Sequence, residues 1–303
     1  MPNYNFEKEL QPYAHFHAPI NSFMLALSQK PMGLLYKRER SDEFVNVSVN
    51  KVDNVRVLVY DSVNTTESSA CLLFFHGGGF VFNAAPHHFS LARRFVRELG
   101  IKCVFVDYRL APKYKFPCAV DDCFEVYKWV LNNSGKLKID CKKIIVCGDS
   151  AGGNLAAVTC LKARDNGLQM PLAQMLLYPV LDHRMQTQSY KLYQDTPMCN
   201  SKDMAKYYKF YLPANVAPAI YLSPIEADDL AGLPHAYLEV AQYDCLHDEG
   251  VSYARALEHS GVEVELHETL GAMHGYDIAQ NTNFLQKIMT QRITFLKRVI
   301  SYP

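Results

Sequence analysis

The sequence lacks the features that would mark a membrane or nucleic-acid protein. Basic and acidic side chains balance, 31 Lys plus Arg against 31 Asp plus Glu. No net field therefore draws the chain to nucleic acid or to an anionic membrane. Basic clusters such as Lys37-Arg38-Glu39-Arg40 are short and interrupted by acids, and they read as solvated faces. No apolar window approaches the roughly 20 residues of a membrane span. Met1–Leu10 carries Glu7, Lys8 and Glu9 and has no continuous apolar core, which argues against a signal peptide. The nine cysteines include no C-x-x-C pair, and several sit inside apolar runs, where a thiol behaves as a small hydrophobe. An odd number without framework spacing points to a reducing compartment. Internal repeats and low-complexity tracts are also missing; Ser62–Ser69 is a polar loop. The expectation is a soluble cytoplasmic protein without membrane or nucleic-acid partners. Its oligomeric state has no signature here; a homodimer is the form to consider.

What is present is an alternation of strands and helices. Strand-like runs fall at Phe44–Val49, Val55–Tyr60, Ala70–Phe75, Lys102–Asp107, Lys143–Gly148, Gln174–Tyr178, His235–Val240 and Val262–His267. The first two alternate polar and apolar, as antiparallel edge strands with one wet face do. The later runs are mostly continuously apolar and separated by helical patterns, the mark of a parallel sheet with crossover helices. Helices are expected at Leu91–Leu99, Ala119–Leu131, Ala151–Arg164, Glu249–His259 and Asn283–Ile300. In the last, Leu285, Ile288, Phe295 and Val299 recur at helical spacing and should pack on the sheet. This is an α/β chain forming one domain over 1–303. Two amphipathic, aromatic segments fit no sheet, residues 1–42 (Tyr13, Phe16, Phe23, Met24, Leu27, Met32) and 181–213 (Met198, Tyr207, Tyr208, Phe210, Tyr211). Together they make a candidate helical cap over the carboxyl edge of the sheet, although ordinary core-covering helices would read the same way.

Gly148-Asp149-Ser150-Ala151-Gly152 stands between the apolar run Lys143–Cys147 and a small-residue helix beginning Gly153-Asn154-Leu155. A serine held between glycines at a strand-to-helix turn is the nucleophile elbow of an α/β-hydrolase. Acyl transfer by serine also needs a base, an orienting acid and donors for a developing oxyanion. His76-Gly77-Gly78-Gly79 closes the third strand, and its glycine amides (Gly77, Gly78, Gly79), with that of Ala151 after the serine, are the candidate oxyanion hole. His274, past the eighth strand in Met273-His274-Gly275, is placed to be the base. His76 is placed to hold the glycine loop's shape, while His87 and His88 lie before a helix. His15 and His17 have no acidic or cysteine partner at ligand spacing, so no metal site is expected. For the acid, Asp244 follows the seventh strand. Asp248 competes, although an N-cap role would explain it, and Asp182 and Asp277 are weaker alternatives. The order Ser150, Asp244, His274 is the nucleophile–acid–base order of this fold.

These segments, with Asp107-Tyr108-Arg109-Leu110-Ala111-Pro112 and Phe116-Pro117, resemble the hormone-sensitive lipase family of esterases (bacterial family IV) in the α/β-hydrolase superfamily. The resemblance runs from the third strand to near the C-terminus. It implies an eight-stranded, mostly parallel sheet flanked by helices, a helical cap and no cofactor. It further implies hydrolysis of short- to medium-chain carboxylic esters through Ser150, Asp244 and His274, with Gly78, Gly79 and Ala151 as donors. Asp107 and Arg109 look structural in that family. The chain departs from the pattern at Asn83, where glycine is frequent and where asparagine tolerates positive φ. It departs again at Cys245 and His247, which replace a frequent proline and arginine. Amide deacetylation by the same groups, and a non-catalytic binding role, are the rival readings.

Overall fold

The computed structural model describes residues 4–18, 20–64, 68–214 and 220–301. Residues 1–3 and 19 of the N-terminal segment, 65–67 of the Ser62–Ser69 loop and the side chain of Met24 lie outside that description.

Eight strands form one sheet: β1 (Val45–Val52), β2 (Val55–Ser62), β3 (Ser69–Phe75), β4 (Lys102–Asp107), β5 (Ile139–Asp149), β6 (Ala173–Leu177), β7 (His235–Tyr243) and β8 (Val264–Met273). Their order is β1-β2-β4-β3-β5-β6-β7-β8. The β1–β2 and β2–β4 pairs are antiparallel, and the pairs from β4 through β8 are parallel. All eight sequence-predicted strands are therefore present. One expectation fails: β2 is no edge strand with a wet face. It lies between β1 and β4, most of its side chains are buried, and of the two it is β1 that carries the exposed pattern.

The helices are α1 (Ser22–Met32), α2 (Leu35–Arg38), α3 (Pro86–Leu99), α4 (Cys118–Asn132), α5 (Ser134–Leu137), α6 (Ala151–Asp165), α7 (Gln188–Leu192), α8 (Ser201–Tyr211), α9 (His247–His259) and α10 (Asn283–Ser301). One apolar core gathers Val126 of α4, Leu155 of α6 and Tyr253 of α9 on one sheet face. The other gathers Phe95 of α3 and Leu285, Ile288, Phe295 and Val299 of α10 on the opposite face, as the stripe in α10 predicts. Helix α3 starts five residues before the predicted Leu91. Pro86 occupies its first turn, where the missing amide donor costs nothing.

Between the core strands and α8, the 181–213 segment meets the N-terminal one. Met198 N–H donates to the Phe16 carbonyl at 2.7 Å, and the Tyr4 hydroxyl donates to Asp195 at 2.7 Å. Helix α1 buries Leu25, while Phe16 (48%), Phe23 (74%) and Leu27 (58%) stay exposed, so the aromatic stripe read from the sequence is not the face turned inward. Tyr211 of α8 stacks on Phe80 with ring centres 4.0 Å apart and planes 3° from parallel. From α1, the Gln29 amide donates to the Val81 and Ala111 carbonyls at 2.7 and 2.8 Å. Both segments thus hold the loop after β3.

β3 sits between β4 and β5, so the chain reverses its direction of travel across the sheet at β3. In open α/β sheets, ligands bind beyond the carboxyl ends of strands near such a point. Ser150, the glycine loop, Asp244 and His274 all follow carboxyl ends of strands, after β5, β3, β7 and β8.

Candidate active site

Ser150 is the N-cap of α6 and has φ 53° and ψ −118°, a conformation L-residues rarely hold. Its N–H donates to the Leu177 carbonyl at 2.8 Å, and its own carbonyl accepts from Val180 N–H at 3.0 Å. The flanking glycines make the turn possible. An ideal Cβ on Gly152 would lie 2.0 Å from the Phe75 carbonyl oxygen, and one on Gly148 2.2 Å from that of Gly152. Strand, elbow and helix approach so closely that no side chain fits between them.

Strand ends bring the other two groups to the serine. His274 Nε2 lies 2.9 Å from Ser150 Oγ, and its Nδ1 lies 2.6 Å from Asp244 Oδ2. A carboxylate only accepts, so Nδ1 carries the proton, and Nε2 accepts from the serine hydroxyl. Asp244 is fully buried, and its Oδ1 accepts from Leu246 N–H at 2.9 Å. Burial alone would lower the pKa of His274; the Asp244 carboxylate outweighs it and holds the imidazolium above its ordinary range. The other three candidate acids are engaged elsewhere. Asp248 accepts from Ser189 N–H at 2.8 Å and His247 at 2.9 Å, and Leu246, not Asp248, caps α9. Asp277 pairs with Arg292 at 2.6 Å. Asp182 pairs with Arg184 at 2.7 Å. With His183 and Glu226 it forms a small polar cluster, which the Arg184 guanidinium spans by also reaching Glu226 at 3.4 Å.

The glycine loop needs one correction. Gly77 N–H donates to Asp149 Oδ1 at 2.9 Å, so its amide is taken up and Gly77 leaves the set of oxyanion donors. The amides of Gly78, Gly79 and Ala151 make no hydrogen bond among the described residues. Positive φ in this loop falls at Gly78 (118°), Gly79 (59°) and Phe80 (62°), and Asn83 does not adopt it. His76, fully buried, donates through Nδ1 to the Gly77 carbonyl at 2.7 Å and stacks on Tyr108. Burial and the neighbouring His88 push its pKa down to about 3, so the ring is neutral.

Sequence reasoning missed the other acid of the elbow. Asp149 Oδ2 accepts from His88 Nε2 at 3.1 Å. His88 Nδ1 accepts from Ala85 N–H at 2.8 Å, which puts the ring's proton on Nε2. Burial would raise the carboxyl, but His88 lowers it further, to about 2. The signal was available: an acid ending a buried strand must find a partner. Asp107 and Arg109, which look structural in the family pattern, are both held in ion pairs. Arg109 grips Asp122 at 2.7 Å, and Asp107 pairs with Arg56 at 3.2 Å.

Above Ser150 lies a cavity of about 260 Å³, lined among others by Phe16, Met32, Phe82, His87, Met198 and Tyr207. Among the described residues, no Lys or Arg lines it. Two larger surface grooves, about 780 and 770 Å³, are charged and do not reach Ser150.

An eight-stranded, mostly parallel sheet carrying a serine elbow in contact with a histidine and a buried aspartate defines an α/β-hydrolase. Residues 72–278 match the family described as "alpha/beta hydrolase fold". The chain is 36% identical over 208 residues to esterase LipI of Mycobacterium tuberculosis, covering 68% of this chain and 65% of that protein. It is 38% identical over 212 residues to the carboxylic ester hydrolase LipN of the same organism, covering 68% of this chain and 56% of that protein. The matched part thus spans less than two thirds of either relative. Among solved structures, a bacterial heroin esterase superposes with a TM-score of 0.91 at 31% identity, covering 98% of this chain and 99% of that one. The chain belongs to the α/β-hydrolase family, in its hormone-sensitive lipase group of esterases.

Proposed function

We propose that the protein is a carboxylesterase acting on short-acyl, uncharged esters through a Ser150–His274–Asp244 triad and an acyl-enzyme. The observation that carries this is the continuous contact from Ser150 Oγ through His274 to Asp244, at 2.9 and 2.6 Å. Its similarity to an esterase and to a carboxylic ester hydrolase supports it.

In the reaction, Ser150 Oγ attacks the ester carbonyl while His274 Nε2 takes its proton. Asp244 keeps the imidazole oriented and stabilises the cation that forms. Gly78, Gly79 and Ala151 N–H groups stabilise the oxyanion; one such donor is worth roughly 10²–10³ in turnover. His274 then protonates the departing alcohol. A water, deprotonated by His274, attacks the acyl-enzyme and releases the acid.

Substrate size follows from the cavity. At about 260 Å³ it lies below the roughly 300–1,000 Å³ of pockets for drug-sized ligands, which favours acetyl to butyryl groups over long chains. Among the described residues the lining offers no Lys or Arg as counter-charge to a carboxylate-bearing substrate. The two segments over the site form one cap on a single domain, and nine free thiols fit a reducing compartment such as the cytoplasm.

The test is hydrolysis of p-nitrophenyl esters of increasing acyl length, beside Ser150→Ala. Activity should peak at short chains, and the variant should lose on the order of 10⁶ in turnover. Equal activity of the two proteins would sink the reading.

A further inference from the structure

Arg292 of α10 is fully buried, and the mechanism does not use it. It falls on the apolar stripe of its helix, among Ile288, Phe295 and Val299. A guanidinium there has to be paired on all sides. Its Nε and Nη2 donate to Glu239 at 2.8 and 2.6 Å, and its Nη1 and Nη2 donate to Asp277 at 2.6 and 3.0 Å. Three tyrosine hydroxyls complete the cluster. Tyr237 donates to Glu239 at 2.7 Å, Tyr276 also donates to Glu239, and Tyr178 donates to Asp277 at 2.5 Å.

Each partner leads to a different member of the triad. Glu239 lies in β7, the strand that ends just before Asp244. Asp277 lies three residues beyond His274, in the same loop. Tyr178 lies between Leu177 and Val180, the residues whose carbonyl and N–H hold the Ser150 backbone at 2.8 and 3.0 Å. Its ring also stands edge-on to His274, centres 5.0 Å apart. Tyr178 itself has φ 36°, a strained value for a bulky residue, which persists only where surroundings over-determine it. Its N–H donates to the Glu239 carbonyl at 2.8 Å, so backbone and hydroxyl are both tied to the cluster.

We propose, taking Ser150, Asp244 and His274 as the reacting groups, that Arg292 is a positioning residue that locks the three triad-bearing segments in one register. It acts through Asp277 and the Tyr178 hydroxyl. Bidentate pairing suits this task, since the planar fork fixes direction as well as distance. The groups acting on His274 itself are Asp244, Ser150 and the Tyr178 ring, with Asp149 of the elbow and Cys199 of the 181–213 segment adding to the local field.

Tyr178→Phe removes the tie and keeps the ring; Asp277→Asn removes the charge and leaves Arg292 its bond to Glu239. Two quantities are read in each at a temperature where the protein is folded. One is kcat against KM on p-nitrophenyl acetate, and the other is the titration of the low-field His274 Nδ1 proton by NMR. Loss of register should lower kcat on the order of 10- to 10²-fold at unchanged KM, and move the His274 midpoint down as its contact with Asp244 loosens. A wild-type His274 titration in both variants overturns the proposal, however far their melting temperatures fall. Failure of the esterase reading is seen separately, as wild type and Ser150→Ala being equally inert, and leaves the NMR titration to decide the tie.

Discussion

Asp149 Oδ1 lies 2.9 Å from the Gly77 nitrogen, and this bond fixes which amides of the glycine loop are left free. It joins the serine elbow to the glycine loop that faces it, so the spacing between Ser150 and the candidate donor amides is tied to one carboxylate. Asp149→Asn presents an amide to His88 Nε2–H, a donor against a donor, and one of the two bonds is lost. Turnover on p-nitrophenyl acetate should fall on the order of 10- to 10²-fold, because loop position and chemistry are coupled. Steady-state kinetics beside a melting curve checks this; full activity in a folded Asp149→Asn protein contradicts it.

The acid assignment is testable by a pair of substitutions. Asp244→Asn should lower kcat on the order of 10⁴-fold, the scale of losing the group that sets the histidine tautomer. Asp248→Asn changes contacts to Ser189 and His247, away from the Ser150–His274–Asp244 contacts, and should stay within a few-fold of wild type. A larger loss in the second variant would reverse the assignment.

The pH dependence follows from His274. Its pKa is held above the ordinary 6.5 by Asp244 against the opposing effect of burial, and hydrolysis needs the neutral ring. kcat/KM should therefore rise with pH along a limb centred above 6.5. The stability linked to this group has the opposite sign. A raised folded-state pKa contributes stability that is complete below the unfolded value and is lost as pH rises through the folded one. Melting temperature should drift down over the interval in which activity climbs. A limb at or below the ordinary histidine value would contradict the pairing.

Arg292→Met leaves Glu239 and Asp277 facing each other without their cation. Breaking a fully buried pair in this way costs about 3–5 kcal/mol. Urea unfolding should show that loss, and a variant as stable as wild type would mean that the cluster is dispensable to the fold.

Gly79 and Tyr207 should show coupling. A Cβ on Gly79 would lie 2.6 Å from the Tyr207 ring, and the residue has φ 59°. Gly79→Ala should lose both stability and activity. Adding Tyr207→Ala should restore part, the contact portion, and leave the backbone strain in place. Strict additivity in the double-mutant cycle would show that the ring is not the obstacle.

Most of this architecture was legible because the local rules agree. Apolar runs of strand length, separated by helical patterns, locate all eight strands. The elbow is written in residue types that no other turn needs: two glycines and a serine after a buried strand. What was not legible depends on distant partners. Whether Gly77 keeps a free amide is decided by Asp149, 72 residues away in sequence. β2 is no edge because β4, 40 residues on, pairs with its open side, and it has no wet face because Val57 and Val59 enter one core while Leu58 and Tyr60 enter the other. Arg292 did announce itself, as one charge on an otherwise apolar helical stripe, but its partners come from β7 and from the loop after β8, which no spacing rule joins. The inward face of α1 differs from the one its pattern predicts: Leu25 is buried while its neighbours Phe23 and Leu27 point to solvent.

The flat stack of Tyr211 on Phe80 bears on how a substrate arrives. Phe80 directly follows Gly79, and Phe116 N–H donates to the Tyr211 carbonyl at 2.9 Å, so the last residue of α8 is fastened both to the glycine loop and to the chain before α4. A swing of α8 away from Ser150 would carry the donor amides with it and undo the chemistry it exposed. On the proposed esterase reading, an entrance held in this way would act as a sieve of fixed mesh, sorting molecules by whether they fit through it.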